Sequence, residues 1–122
     1  MDKESPHPSN HTLNTCLAEV AGVSIREGSL AGEIYWLVMV DGVEDGEWTP
    51  LTDHNQMALV KAGLRWSGDS YAEYWDPARC LHYVDLMPKN SEKDLIVTYD
   101  PDELRTLALA IWQMKKGEDN DR

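Results

Sequence analysis

The sequence predicts an α+β fold, with a mainly antiparallel β-sheet sandwiched or covered by about three helices. Three observations lead there. Apolar residues recur at helical spacing in three separate segments, each with a capping residue near its start. Short β-branched and aromatic runs are punctuated by Asp41-Gly42, Gly68-Asp69 and Asp76-Pro77. The order of helix, strand, helix, several strands and helix is that of an α+β chain.

The first helix is expected from His11 or Thr12 to Ala21, capped by Asn10 or Thr12. Leu13, Leu17 and Val20 share a face, and Gly22 provides the stop. A loop through Arg26, Gly28 and Gly32 follows. Residues 34–40 (Ile-Tyr-Trp-Leu-Val-Met-Val) form the strongest strand, and their near-continuous apolarity predicts cover on both faces. Residues 41–46 read as a turn. The second helix starts at Thr52 or Asp53, with Gln56 three residues after Asp53 in a capping-box pattern. Its inward residues are Met57, Val60 and Leu64, and Gly63 is expected to end it. Three strand candidates follow at 64–67, 71–75 and 79–86. Residues 87–93 make a polar loop, and 95–99 a short strand or extended lead. In the last helix, Asp100 is the expected N-cap, Pro101 the first helical residue and Glu103 the partner of a capping box. Leu104, Leu107, Ala108 and Ile111 then face inward, toward Val38 and its neighbours. Lys115 and Lys116 oppose the helix dipole, and Gly117 ends the helix.

The 122 residues suit one domain, from 11 to 117, between a flexible tail at 1–10 and a charged tail at 118–122. No run reaches the length of a membrane span and the start lacks the apolar stretch of a signal peptide, which predicts a cytoplasmic location. Cys16 and Cys80 then read as free, buried thiols, with a disulfide between them as the lesser alternative. The net charge of −11 is uneven: residues 1–60 hold ten acids against two bases. Such a field disfavours direct nucleic-acid binding and attracts a basic surface, or serves solubility alone.

Two stretches carry a family resemblance. Trp48-Thr49-Pro50-Leu51-Thr52-Asp53-His54-Asn55-Gln56 resembles the aromatic-x-Pro-x-x-Asp-x-x-Gln/Ala start of the second helix in NinX-type and phage ABA-sandwich proteins. Residues 100–110, with Asp100-Pro101 before Leu104-Arg105, are similar to that family's closing helix, and Tyr74-Trp75 to its aromatic strand pair. The match spans roughly residues 12–116. It departs at the polar stretch 87–94 and at Thr106, where the family has Ala. The resemblance implies a sheet sandwiched by helices, a phage or prophage origin and hence the cytoplasm of a bacterial host cell, and it implies no reaction.

Few residues point to chemistry. Cys80 and His82 alternate, so on one strand they would share a face and offer two ligands to zinc. The remaining ligands would have to come from His7, His11 or Cys16, and the alternative is packing alone. His54 beside Asp53 offers a dyad without a nucleophile motif. No catalytic residue, metal site or cofactor is therefore expected. Trp66, Tyr71, Tyr74, Trp75 and Tyr83 crowd the middle strands, where aromatics pack across strands or stack bases.

Asp41, Glu44, Asp45 and Glu47 place four carboxylates in seven residues, beside Trp48. They read either as a solvated turn or as a partner-binding patch in which Trp48 anchors an Arg-rich surface. The expected function follows from that patch. The chain would be a small acidic phage accessory protein that binds a host or phage protein with a basic surface. One version is an anti-defence inhibitor, of the anti-CRISPR type, of a nucleic-acid-binding host complex. The alternatives are a small enzyme using His54 or His82 with carboxylates, and a structural or assembly homodimer formed through the aromatic sheet face.

Overall fold

Six consecutive residues of the last helix, Thr106 to Ile111, are all buried, so that helix has neighbours on every side. The computed structural model describes residues 8–89 and 95–120, with side chains described to residue 116. Within these limits the elements are α1 (Asn10–Ala21), β1 (Ser24–Leu30), β2 (Glu33–Val40), β3 (Val43–Glu47), α2 (His54–Ser67), β4 (Ser70–Asp76), β5 (Leu81–Met87), β6 (Ile96–Asp100) and α3 (Glu103–Asn120). The fold is α+β, with antiparallel strands and three helices among the described residues. The strands are divided into two separate sheets, β1-β2-β3 and β4-β5-β6.

The helix α3 packs on β5 and β6 with one side and on α1 with another. Leu104, Leu107, Ala108 and Ile111 are buried as their spacing predicts, but α3 lies on β5 and β6, whose Val84, Leu86 and Thr98 are buried. Val38, the expected neighbour, is half-buried on the other sheet. Where α3 meets β6 two threonines are enclosed. Thr98 Oγ1 donates to the Thr106 carbonyl at 2.8 Å, and Thr106 Oγ1 donates to the Asp102 carbonyl at 2.7 Å. Both hydroxyls are thus satisfied, which removes the usual cost of burying them.

The helix start lies two residues later than expected. Asp102, not Asp100, is the cap: its Oδ1 accepts from the N–H groups of Leu104 and Arg105 at 3.0 and 3.2 Å, and its carbonyl accepts from Thr106 N. Asp100 closes β6 and accepts from Asp102 N. At the other end α3 continues to Asn120, through Gly117 and into the expected tail.

The helix α1 is capped by Ser9, whose hydroxyl accepts from Thr12 N, rather than by Asn10 or Thr12. It ends at Gly22 in a left-handed conformation, as the sequence indicates. Gly63 does not end α2, which runs to Ser67 and is closed by Gly68 at φ 94. Residues 64–67, read as a strand, are its last turn. A Cβ at Gly63 would lie 2.0 Å from the Val20 carbonyl oxygen, so this glycine lets α2 touch the backbone of α1. The gain in contact offsets the helix propensity that glycine gives up.

The strands β1 and β3 occupy segments read as loop and turn. Neither has an apolar run, and both borrow their order from β2. Ala31-Gly32 joins β1 to β2 and Asp41-Gly42 joins β2 to β3, each as a two-residue turn with positive φ at both positions. That is the type I′ geometry, whose twist suits a tight hairpin. The first sheet is covered on one side. Ile25, Trp36 and Val38 pack against the core, Ile34 and Val40 are about half exposed, and Tyr35, Leu37 and Met39 are half-buried on the outer face. Among the described residues, the cover on both faces predicted for β2 is therefore not present.

Leu107→Ala should cost about 2–5 kcal/mol in chemical denaturation, as for a core leucine. Gly63→Ala should also destabilise, by roughly 1–3 kcal/mol from overpacking against Val20, although Ala is the better helix former. A more stable Gly63→Ala protein would contradict the close crossing of α1 and α2.

Candidate functional site

The hairpin of β2 and β3 carries the acidic cluster. All five residues of β3 are exposed, as is Asp41 in the turn. Glu44 lies opposite Met39 and Glu47 opposite Leu37, so both glutamates share the outer face with those residues. Between them β3 holds one residue more than β2, and Gly46 takes φ 95 there. This is a β-bulge with its glycine, a device that also discourages edge-to-edge pairing. Residues 24–47 contain six acids and one base. That base, Arg26, forms an ion pair with Glu44, with both side chains more than half exposed. Such pairs add little stability. Asp41, Glu44, Asp45 and Glu47 therefore occupy one exposed hairpin.

Trp48 is not part of that exposed patch. It is 1% exposed, its indole N–H donates to the Asn14 carbonyl at 2.8 Å, and its backbone N–H donates to the Trp36 carbonyl at 2.8 Å. The expected contact tryptophan is a core residue that ties the end of the hairpin to α1. Gln56 reinforces the tie. Its side chain accepts from Thr49 N at 2.6 Å and donates to the Glu47 carbonyl at 2.8 Å. The predicted capping box is thus half formed. Asp53 accepts from Asn55 and Gln56 N–H groups, while the Gln56 side chain turns to the strand exit.

The other candidates are dispersed. His54 is exposed at the start of α2, and the Asp53 carboxylate beside it is engaged by backbone N–H groups. Cys80 and His82 do not share a strand face, because β5 begins at Leu81. Cys80 is exposed in the preceding turn at φ 55, with its thiol directed to the Pro77 carbonyl at 3.7 Å. His82 faces inward on β5, 4.5 Å from the Trp75 ring, at a cavity of about 260 Å³ that also has Glu73 and Glu103 in its wall. His11 is stacked on Trp36 at 4.5 Å, and Cys16 lies in a groove of about 500 Å³ between α1 and α3. His7 lies outside the described residues. Among the described residues no three His, Cys, Asp or Glu side chains converge, and no helix is long and apolar enough to cross a membrane.

A second feature is the outer face of the β4-β5-β6 sheet. The register aligns Tyr74, Tyr83 and Tyr99 in one row across the three strands. Tyr74 and Tyr83 stack at 5.2 Å between centroids, and Tyr83 meets Tyr99 at 5.7 Å. Tyr74 and Tyr99 are 48% and 61% exposed. The Tyr74 hydroxyl donates to Asp85 Oδ1 at 3.4 Å. Desolvation, then the Asp85 charge and this hydrogen bond, hold its phenol above the usual range. Arg79 donates to Asp76 Oδ2 at 3.5 Å, and the influence of Tyr83, then of the Asp76 charge, keeps its guanidinium above its usual range. Tyr71 and Trp75, read as members of the same aromatic group, face the opposite way, and Trp66 stands on α2, almost fully exposed. Tyr99 is the member of the row that the sequence reading left out. Period-two spacing from Val97 to Tyr99 was the available signal.

Comparison with family models, with curated proteins and with solved structures finds no match for this chain.

Trp48→Ala should cost about 3–5 kcal/mol, as for a buried aromatic; a loss below about 0.5 kcal/mol, the usual surface value, would return Trp48 to the surface. Asp85→Asn should lower the Tyr74 titration toward, but not to, the ordinary tyrosine value, since desolvation remains. The sign is that of a raised group. What the Tyr74 contact contributes is complete below the ordinary phenol pKa and disappears as pH rises through the folded value. Ultraviolet absorbance titration of the two proteins measures the difference.

Proposed function

We propose that this chain is a small phage-type accessory protein that acts by binding a basic surface of another protein through its β2–β3 hairpin, without catalysing a reaction. One observation carries the reading: Asp41, Glu44, Asp45 and Glu47 are exposed together on a hairpin whose base is fixed by buried Trp48 and by Gln56. A patch held in place by the core loses little conformational freedom on binding. Its charge raises the on-rate toward a basic partner and suppresses binding to phosphate backbones. The engagement of Asp53 by backbone N–H groups and of Cys80 by the Pro77 carbonyl supports a binding role over an enzymatic one. The phage resemblance and the charge together favour the anti-defence version, in which the hairpin occupies a groove that holds nucleic acid in a host complex.

The test is affinity capture from bacterial lysate with wild type and with Glu44→Lys/Asp45→Lys, at low and high salt. The proposal expects a basic partner retained by wild type at low salt, lost at high salt, and retained at least about tenfold less by the variant. Equal retention under all conditions would reduce the acidic hairpin to a solubility device.

A further inference from the structure

Among the described residues the two sheets have four edge strands, β1, β3, β4 and β6. An edge strand presents a row of unpaired backbone N–H and C=O groups, and charged side chains or bulges normally keep other strands away from it. Three of the four edges have such guards. β1 carries Arg26 and Glu27 near its centre, and β3 carries Glu44, Asp45 and Glu47 with a bulge at Gly46. β4 carries Glu73, ion-paired with Lys61 of α2 at 3.0 Å, and Asp76 at its end. β6 is different. Ile96, Val97, Thr98 and Tyr99 include no charge, proline or glycine, and all four are residue types that favour strands. β5 pairs with one side of β6 and α3 packs on its inner face. Among the described residues no backbone group of residues 96–99 bonds beyond β5. In an antiparallel pair alternate residues direct their N–H and C=O away from the partner strand, so β6 holds donors and acceptors for one further strand.

We infer that β6 pairs antiparallel with β6 of a second copy of the chain, about a two-fold axis at Thr98, which joins two three-stranded sheets into one of six strands. The open edge specifies a strand as its occupant, because an extended backbone is what matches a row of alternating donors and acceptors. The side chains select β6 itself. Antiparallel pairing about Thr98 sets Val97 of one copy opposite Tyr99 of the other, and the contact forms twice by symmetry. Both residues lie on the outer face, 49% and 61% exposed, and a β-branched residue opposite an aromatic one is a favourable cross-strand pair. On the inner face Thr98 meets its own copy, with its hydroxyl already held by the Thr106 carbonyl. The register also keeps the charges of two acidic chains apart. Asp100 falls opposite Ile96 of the other copy, so the two Asp100 positions are separated by four residues of strand, about 14 Å. That exceeds the screening length of about 8 Å at physiological salt. Self-pairing of β3 would instead set carboxylate against carboxylate. The strand pair covers less than the roughly 800 Å² per partner of a standard interface, so the dimer forms and dissociates with concentration. β6 lies apart from the acidic hairpin, and the inference stands independently of the proposed partner.

Sedimentation equilibrium of the full chain from about 1 μM to 1 mM tests it, with circular dichroism to confirm that each variant folds. Wild type is expected to pass from monomer to dimer across the series. Val97→Lys/Tyr99→Lys sets lysine opposite lysine and should weaken association by about tenfold or more. Val97→Lys/Tyr99→Glu sets lysine opposite glutamate twice and should associate about tenfold or more tightly than the double-lysine protein. Both variants alter the same two exposed positions, so the difference between them reports the register. The double-lysine protein is the less acidic of the two, so overall repulsion would act in the opposite direction. Amide hydrogen exchange of wild type needs no variant: with rising concentration it should slow at β6 and at no other edge strand. Equal association of the two folded variants overturns the inference, as does a dimer that leaves the β6 amides unprotected. A wild-type monomer throughout also overturns it, and protection of β6 in that monomer by a captured protein would assign the edge to a foreign strand.

Discussion

The fold depends on the enclosure of α3. A helix buried from Thr106 to Ile111 on all sides cannot lie at the edge of a domain. It rests on β5 and β6 and is closed by α1, which in turn meets α2 and β1. The two sheets never form one continuous sheet, so the helices are what join them. The Thr98–Thr106 contact fixes the helix on its strand by directed hydrogen bonds, where an apolar contact alone would permit sliding.

That arrangement determines what each sheet can offer. The second sheet has a full helix beneath it and, among the described residues, leaves a tyrosine-rich outer face. The first sheet touches the helices through β1 and the inward side of β2, so its β2–β3 hairpin extends away from the core. Trp48 is the pivot between the two conditions. Immediately before it the chain is an exposed acidic strand, and immediately after it the chain is bound by hydrogen bonds to α1 and α2. The carboxylates can therefore be displayed without any of them entering the core, where an unpaired charge would be costly.

The parts of this fold that were legible in the sequence are those determined locally. The inward residues of all three helices, the left-handed stop at Gly22 and the strands around β4, β5 and β6 follow from spacing and turn chemistry. What was not legible is determined by contacts distant in sequence. β1, with the sequence SIREGSL, shows no strand pattern and is ordered by pairing with β2. Gly63 looks like a helix stop until the Val20 carbonyl is placed beside it. Asp100 and Asp102 both satisfy the capping rule, and only the extension of β6 to Asp100 decides between them. The candidate site divides in the same way. Exposed acids are expected at a turn of that composition, but the burial of Trp48 follows from its indole reaching Asn14, 34 positions earlier.

The central claim is that the acidic hairpin is the surface by which this protein recognises another. Amide hydrogen exchange, measured on the chain alone and bound to the partner it captures, tests that claim most directly. The account predicts that binding slows exchange across residues 41–47 and the neighbouring amides of β2, while α3, already enclosed, changes little. Unchanged exchange in the hairpin, with protection appearing elsewhere on the molecule, would contradict it.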